Sequence, residues 1–313
     1  MDGVLPVATR PGAVSAVLPR QGTIKSAMCC AGTGLHTGRK VSVRLLPAAA
    51  DSGIVFRRTD IGADIPARFD HVCDTRLCTV IGLDDRAEAR VGTVEHLMAA
   101  LAATSITNIV VELDGPELPA FDGSAEPWLF LLECAGSMAL DAPVTEIEVL
   151  RPVRVEEGES FAELRPGAAG CLELSVAIDF AAPAIGRQAL SLSLRGEAFR
   201  EIARARTFTQ EHEIAGMRAA GLAKGGTLEN AVVVNGDRVL NPSGLRMEDE
   251  FVRHKMLDAV GDLALAGAGL RGRFIGHRSG HALNNRVLRA LFADPANWRA
   301  VQADEIGWLH EAA

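Results

Sequence analysis

The chain has no cysteine pair at C-x-x-C spacing, no block of lysine and arginine, and no apolar run long enough to cross a bilayer. Each absence removes a class of protein. The six cysteines (Cys29, Cys30, Cys73, Cys78, Cys134 and Cys171) fall at irregular intervals along 313 residues. That argues against a disulfide framework and for a reducing, cytoplasmic setting. A net charge of −8 without a basic cluster makes nucleic acid an unexpected partner. The mostly apolar run at residues 13–18 is bracketed by Pro11 and Pro19, which leaves it too short for a signal core or a membrane anchor. The turn-rich loop at residues 32–38 holds neither a Walker lysine–serine pair nor a G-x-G-x-x-G turn, so it carries only a weak phosphate-binding signal.

What is present reads as a globular chain. With 48% apolar and 23% charged residues, it is long enough for two domains of ordinary size. Residues 1–21 are expected to form a disordered N-terminal extension. Val41, Val43 and Leu45 alternate with polar residues, as do Ile109, Val111 and Leu113, and period two predicts strands. Residues 91–101 read as a strand end turning into an Ala/Leu-rich helix. A further helix opens near Ser124, a candidate N-cap. The helical pattern stops around residues 140–143 and strands resume at 146–150, which places a boundary between a first domain at 22–142 and a second at 143–313. The second half repeats the broad order of the first: strands at 161–164 and 172–180, a helix at 198–205, then helices at 248–265 and near 282–292. Residues 209–240, glycine-rich at 221–226 and strand-like at 231–234, read as a βαβ-type insertion. The fold class expected is α+β.

The chemistry gathers on residues 248–265. At about 100° per residue, His254, Asp258 and Asp262 fall along one stripe with Lys255 at its edge, and Met256, Leu257, Val260 and Leu263 fall opposite. An imidazole and a carboxylate at i, i+4 suit a divalent metal; they equally suit an ordinary ion pair on a solvated helix face. Two ligands make no catalytic site. Glu95-His96, adjacent at a helix start, offer a third ligand and a base aimed at a metal-bound water, although taken alone they read as a helix N-terminus with a surface glutamate. His281 stands where a loop enters a helix, with Asp262 the natural carboxylate to favour its charged form. His36 in the turn-rich loop and Asp122-Gly-Ser124 admit substrate contacts, and a turn and a cap as the plainer readings.

G-L-H-T-G, T-V-E-H-L, D-G-S-A, A-R-T-F, G-G-T-L-E-N-A, E-D-E-F-V-R-H-K-M-L-D-A-V-G-D-L and S-G-H-A-L-N-N occur in that order. Together they resemble the zinc-dependent UDP-3-O-acyl-N-acetylglucosamine deacetylases of the lipid A pathway, over nearly the whole chain from Gly22. The resemblance implies one zinc ion on His96, His254 and Asp258, with Glu95 as general base. It implies His281 as electrostatic or acid partner, oriented by Asp262. Lys255, Thr207 and Phe208 would contact substrate or transition state, with Cys78 near the metal. It also implies two α+β domains, each a helix layer against a sheet, with the site between them, an insertion lining an acyl-chain passage, and a monomer. Trp128 stands where the family usually has Phe, and Gln210 and Lys224 are polar where some members are apolar. The alternative is a non-catalytic, metal-stabilised nucleotide-sugar binding protein. Against it, structural zinc sites usually take four protein ligands and favour cysteine, and no cysteine here stands at zinc-site spacing.

Overall fold

The computed structural model describes residues 19–167, 170–194 and 196–303. The extension expected over residues 1–21 lies outside the described residues as far as residue 18. Arg20 and Gln21 already belong to the strand Arg20–Ile24, which pairs antiparallel with Ser137–Pro143.

Six helices occur among the described residues: α1 Glu95–Ala103, α2 Glu126–Ala135, α3 Arg200–Ala203, α4 Glu211–Ala219, α5 Glu250–Ala264 and α6 His281–Ala293. A five-stranded sheet runs in the order Met28–Thr33, Lys40–Pro47, Ile109–Leu113, Ile54–Arg58, Ala63–Pro66. Its inward residues Val43, Leu45, Phe56, Ile109 and Val111 share one apolar core with Leu97, Met98 and Leu101 of α1 and Trp128 of α2. The second half is built on a seven-stranded sheet centred on Gly269–His277. That strand pairs with Thr145–Val149, Ser160–Arg165 and Leu172–Asp179. Helix α5 packs on the strands Leu172–Asp179 and Arg187–Ser193, and α6 on Val153–Glu157 and Ser160–Arg165. Helices α1 and α5 pack on each other, so two helix layers meet between two sheets, the α+β arrangement expected.

The helical pattern that the sequence carries to about residue 140 ends at Ala135, because Gly136 takes a left-handed conformation (φ 66°). Met138 and Leu140 belong to the strand Ser137–Pro143 instead. The helix expected at 198–205 is only a 3-10 turn followed by α3. The insertion expected at 209–240 begins one residue earlier: Phe208–Gln210, α4 and Val232–Asn235 form a parallel βαβ unit, extended by Arg238–Val239. We propose the division of the halves beside the expected 142/143, where the chain leaves the strand paired with Arg20–Ile24 after Pro143 and enters Thr145–Val149 of the second sheet.

Candidate metal centre and active site

Two elements bring the polar residues together. Helix α5 carries His254, Asp258 and Asp262 on the face turned to α1, and α1 begins at Glu95. The crossing is close because of Gly261: a Cβ there would lie 1.9 Å from the Glu95 carbonyl oxygen. The face that sequence alone allows to be solvated is therefore buried, with Asp258 3% exposed and His254 and Asp262 each 2%. Glu95, open to a surface reading when taken alone, is buried too.

Asp258 Oδ1 lies 3.6 Å from His96 Nε2 and 3.4 Å from His254 Nε2. The two imidazoles stand edge to face at 5.1 Å between ring centres. His254 Nδ1 donates to the Ala205 carbonyl at 3.0 Å; a carbonyl only accepts, so Nε2 keeps its lone pair for the cluster. Burial pushes His254 down to about 4 against the opposing pull of Asp258, which leaves the ring neutral at pH 7, as a ligand must be. Burial alone would raise Asp258; His254 and Lys255 outweigh it and hold the carboxyl well below the usual range. Lys255 Nζ donates to Asp258 Oδ2 at 2.6 Å. Asp258 Oδ1 is buried with no hydrogen-bond partner, a costly state for a carboxylate oxygen unless a cation meets it. The atoms that His96, His254 and Asp258 could offer a metal ion all lie within 4.8 Å of one another. These donors fit a divalent metal ion.

Beside them stand a second carboxylate and imidazole, Glu95 and His281. Glu95 Oε2 accepts from the Thr79 N–H at 3.0 Å, and Oε1 lies 3.9 Å from His281 Nε2. Burial raises the Glu95 pKa, partly offset by His281 and His96. His281 Nδ1 donates to Asp262 Oδ2 at 2.9 Å. Burial would lower His281, but Asp262 prevails and lifts it to about 9. Asp262 is itself held by the Thr79 hydroxyl at 2.5 Å and the Asn284 amide at 2.8 Å.

Phe208 stacks edge-on against Phe251 at 5.0 Å and reaches to 6.3 Å of the His254 ring. Thr207 is half-buried and placed by its backbone, with its N–H on the Gly123 carbonyl and its carbonyl on Val232 N–H. The Cys78 thiol is buried, and burial together with the Glu95 charge raises its pKa, keeping it neutral. His36 does sit in a turn, yet its ring is buried with both nitrogens unpartnered, close enough to His281 for the two charges to oppose each other. Asp122 takes the plainer reading, accepting from the Ser124 N–H and hydroxyl. The N-cap of α2 is Ala125, though the Ser124 oxygen does accept from the Glu126 N–H at 3.3 Å.

Sequence reasoning passed over Thr79, Asn284 and the buried pair Arg206–Glu250. Asn284 follows His281 at i+3, a spacing that puts both on one helix face. Thr79 is 183 residues from the carboxylate it holds, and no local pattern links them. Cavity size does not single out the site. A cavity of about 670 Å³ at the C-terminal ends of α1 and α5 holds none of these residues. An opening of about 370 Å³ beside His281 is lined also by Leu77, Glu157, Ser160 and Arg278.

Buried imidazole and carboxylate donors with a raised glutamate and a charged histidine next to them, set between two α+β halves, are the parts of a metal-dependent hydrolase. The family model for UDP-3-O-acyl N-acetylglycosamine deacetylase matches residues 21–293, and the chain belongs to that family of metalloenzymes. Among similar proteins, the UDP-3-O-acyl-N-acetylglucosamine deacetylase of Phenylobacterium zucineum (strain HLK1) is 51% identical over 283 residues, 89% of this chain and 95% of that protein. The same enzyme of Acidithiobacillus ferrooxidans (strain ATCC 53993 / BNL-5-31) is 48% identical over 291 residues, 91% and 94%. That of Anaeromyxobacter dehalogenans (strain 2CP-C) is 47% identical over 283 residues, 90% of each. The protein is thus a deacetylase, a hydrolase, and no helix among the described residues is long and apolar enough to cross a membrane.

Proposed function

We propose that the protein removes the N-acetyl group of UDP-3-O-acyl-N-acetylglucosamine, releasing acetate, in lipid A biosynthesis, and that His96, His254 and Asp258 hold one zinc ion. The observation that carries this reading is Asp258 Oδ1, buried and unpartnered between two imidazole Nε2 atoms. Two nitrogens and one oxygen make a borderline donor set that suits zinc, and three protein ligands leave a position open for chemistry. When bound, such an ion lowers the pKa of water from about 15.7 toward about 7 and polarises the amide carbonyl.

The chain's own residues supply the rest. Glu95, its Oε2 anchored by the Thr79 N–H and its pKa raised by burial, takes the proton of the attacking water. His281, charged through its pairing with Asp262, donates from Nε2 to the departing glucosamine amine. The Thr207 hydroxyl and the Lys255 ammonium steady the negative charge that gathers on the acetyl oxygen. Phe208 forms an apolar wall and Cys78 fills the floor beside Glu95. Helix α4 buries none of its residues, and Ile214 and Met217 lie half-exposed on one face. We assign that face to the substrate's acyl chain. All six cysteines are unpaired, in keeping with a cytoplasmic reaction, which we assign to the monomer.

The test is acetate release from UDP-3-O-acyl-N-acetylglucosamine before and after chelation, with zinc re-addition and with Glu95→Ala in parallel. Release that the chelator stops, zinc restores and Glu95→Ala abolishes is expected. Folded, zinc-loaded protein that releases no acetate at any acyl length would refute the substrate assignment.

A further inference from the structure

One charge pair beside the site is buried as fully as the site itself. Glu250, in the first turn of α5, is 0% exposed, and Arg206 is 4% exposed. Both oxygens of Glu250 are doubly engaged. Oε1 accepts from the Arg206 N–H at 3.0 Å and Arg206 Nε at 2.8 Å. Oε2 accepts from Arg206 Nη2 at 3.1 Å and the Arg246 N–H at 2.7 Å. Arg206 Nη2 also donates to the Gly244 carbonyl at 2.8 Å, and Arg246 Nη1 to the Arg204 carbonyl at 2.9 Å. The carboxylate thus grips backbone and side chain of Arg206 at once. The residues on either side are the ones the chemistry depends on. The Ala205 carbonyl accepts from His254 Nδ1, and Thr207 follows directly. Glu250 and His254 stand at i and i+4 on α5, so one helix edge holds this segment at two points.

We infer that the Arg206–Glu250 pair is a positioning element of the metal centre: it fixes the Ala205 carbonyl that selects the His254 tautomer able to ligate through Nε2, and with it the placement of Thr207. The inference rests on the reading of His254 as a metal ligand. The physical reason is directional. A neutral imidazole carries its proton on either nitrogen, and the choice follows the acceptor the other nitrogen meets. A carbonyl on an irregular segment serves only if that segment cannot turn. A bidentate guanidinium–carboxylate fork supplies that rigidity, because it constrains angle as well as distance. Partners one step behind metal ligands typically matter by about 10–100-fold in metal affinity.

Arg206→Lys keeps the charge and loses the fork; Glu250→Gln keeps the volume and turns an amide donor toward Arg206. Nitrogen-15 histidine NMR of the metal-free protein reads the His254 tautomer, and chelator competition reads zinc affinity. The expected result is a single Nδ1-protonated tautomer in the parent and a mixed population in both variants, with zinc bound about 10–100-fold more weakly and melting still cooperative. Asp249→Asn, which opens the half-exposed pair with Arg253 in the same helix region, should leave both readouts unchanged. An unaltered tautomer and zinc affinity within about twofold of the parent in Arg206→Lys would overturn the inference, whatever its melting temperature. Should neither variant fold, the parent decides: an Nε2-protonated His254 overturns it. A parent that binds no zinc refutes the ligand reading instead, while the tautomer comparison still judges the positioning role.

Discussion

His281 shows how one side chain's surroundings set its task. Burial alone would strip its proton at neutral pH, but the Asp262 carboxylate at 2.9 Å reverses the sign and lifts it to about 9. Glu95 moves upward for the opposite reason, since burial opposes its charge. In the proposed roles Glu95 must be deprotonated and His281 protonated, so activity should climb as pH rises through the elevated Glu95 value and fall as it passes about 9. Asp262→Asn removes the chief upward pull on His281, and the alkaline limb should then move to lower pH. A limb that stays in place would detach it from His281. His281→Ala should keep its metal and lose about 10²–10⁴ in kcat; an unchanged kcat at saturating substrate would remove His281 from the mechanism.

Between elements, the decisive contact is where α1 starts against the middle of α5. Gly261 is the residue that permits it, because an added Cβ would meet backbone atoms of Glu95 at 1.9, 2.7 and 2.9 Å, and backbone cannot swing aside as a side chain can. Gly261→Ala must push α1 away from α5, carrying Glu95 and His96 from Asp258. A loss of about 1–3 kcal/mol, as for other overpacked interiors, should appear in urea titration together with weakened zinc binding. Wild-type stability with full activity would show that the helices separate without disturbing the site. The same contact explains why α5 misleads when read as one half-wet helix. Its polar stripe has the period of a solvated face, yet α1 covers it, and Asp258 Oδ1 is left buried without a hydrogen-bond partner.

Across the whole molecule, the halves share this helix interface, and residues 95–101 of α1 are buried without exception. Separating the halves would expose that apolar surface together with the buried ionic cluster, so both halves should melt in a single calorimetric transition with matching van't Hoff enthalpy; two resolved transitions would mean independent domains. The sequence alone determined the alternating strands, such as the one through Val41, Val43 and Leu45, and through their periods the helices α1, α5 and α6. It also placed His254, Asp258 and Asp262 on one stripe, because spacing along a helix is a local property of the backbone. Local pattern misplaced the end of α2 and put residues 20–21 in a disordered extension, since a glycine conformation and a pairing across more than a hundred residues decide those. Only the tertiary structure decided that Thr79 anchors both Glu95 and Asp262, that Arg206 closes on Glu250, and that the stripe is buried. These are contacts between residues far apart in the chain, and their energies depend on desolvation, which exists only once the two layers have closed over them.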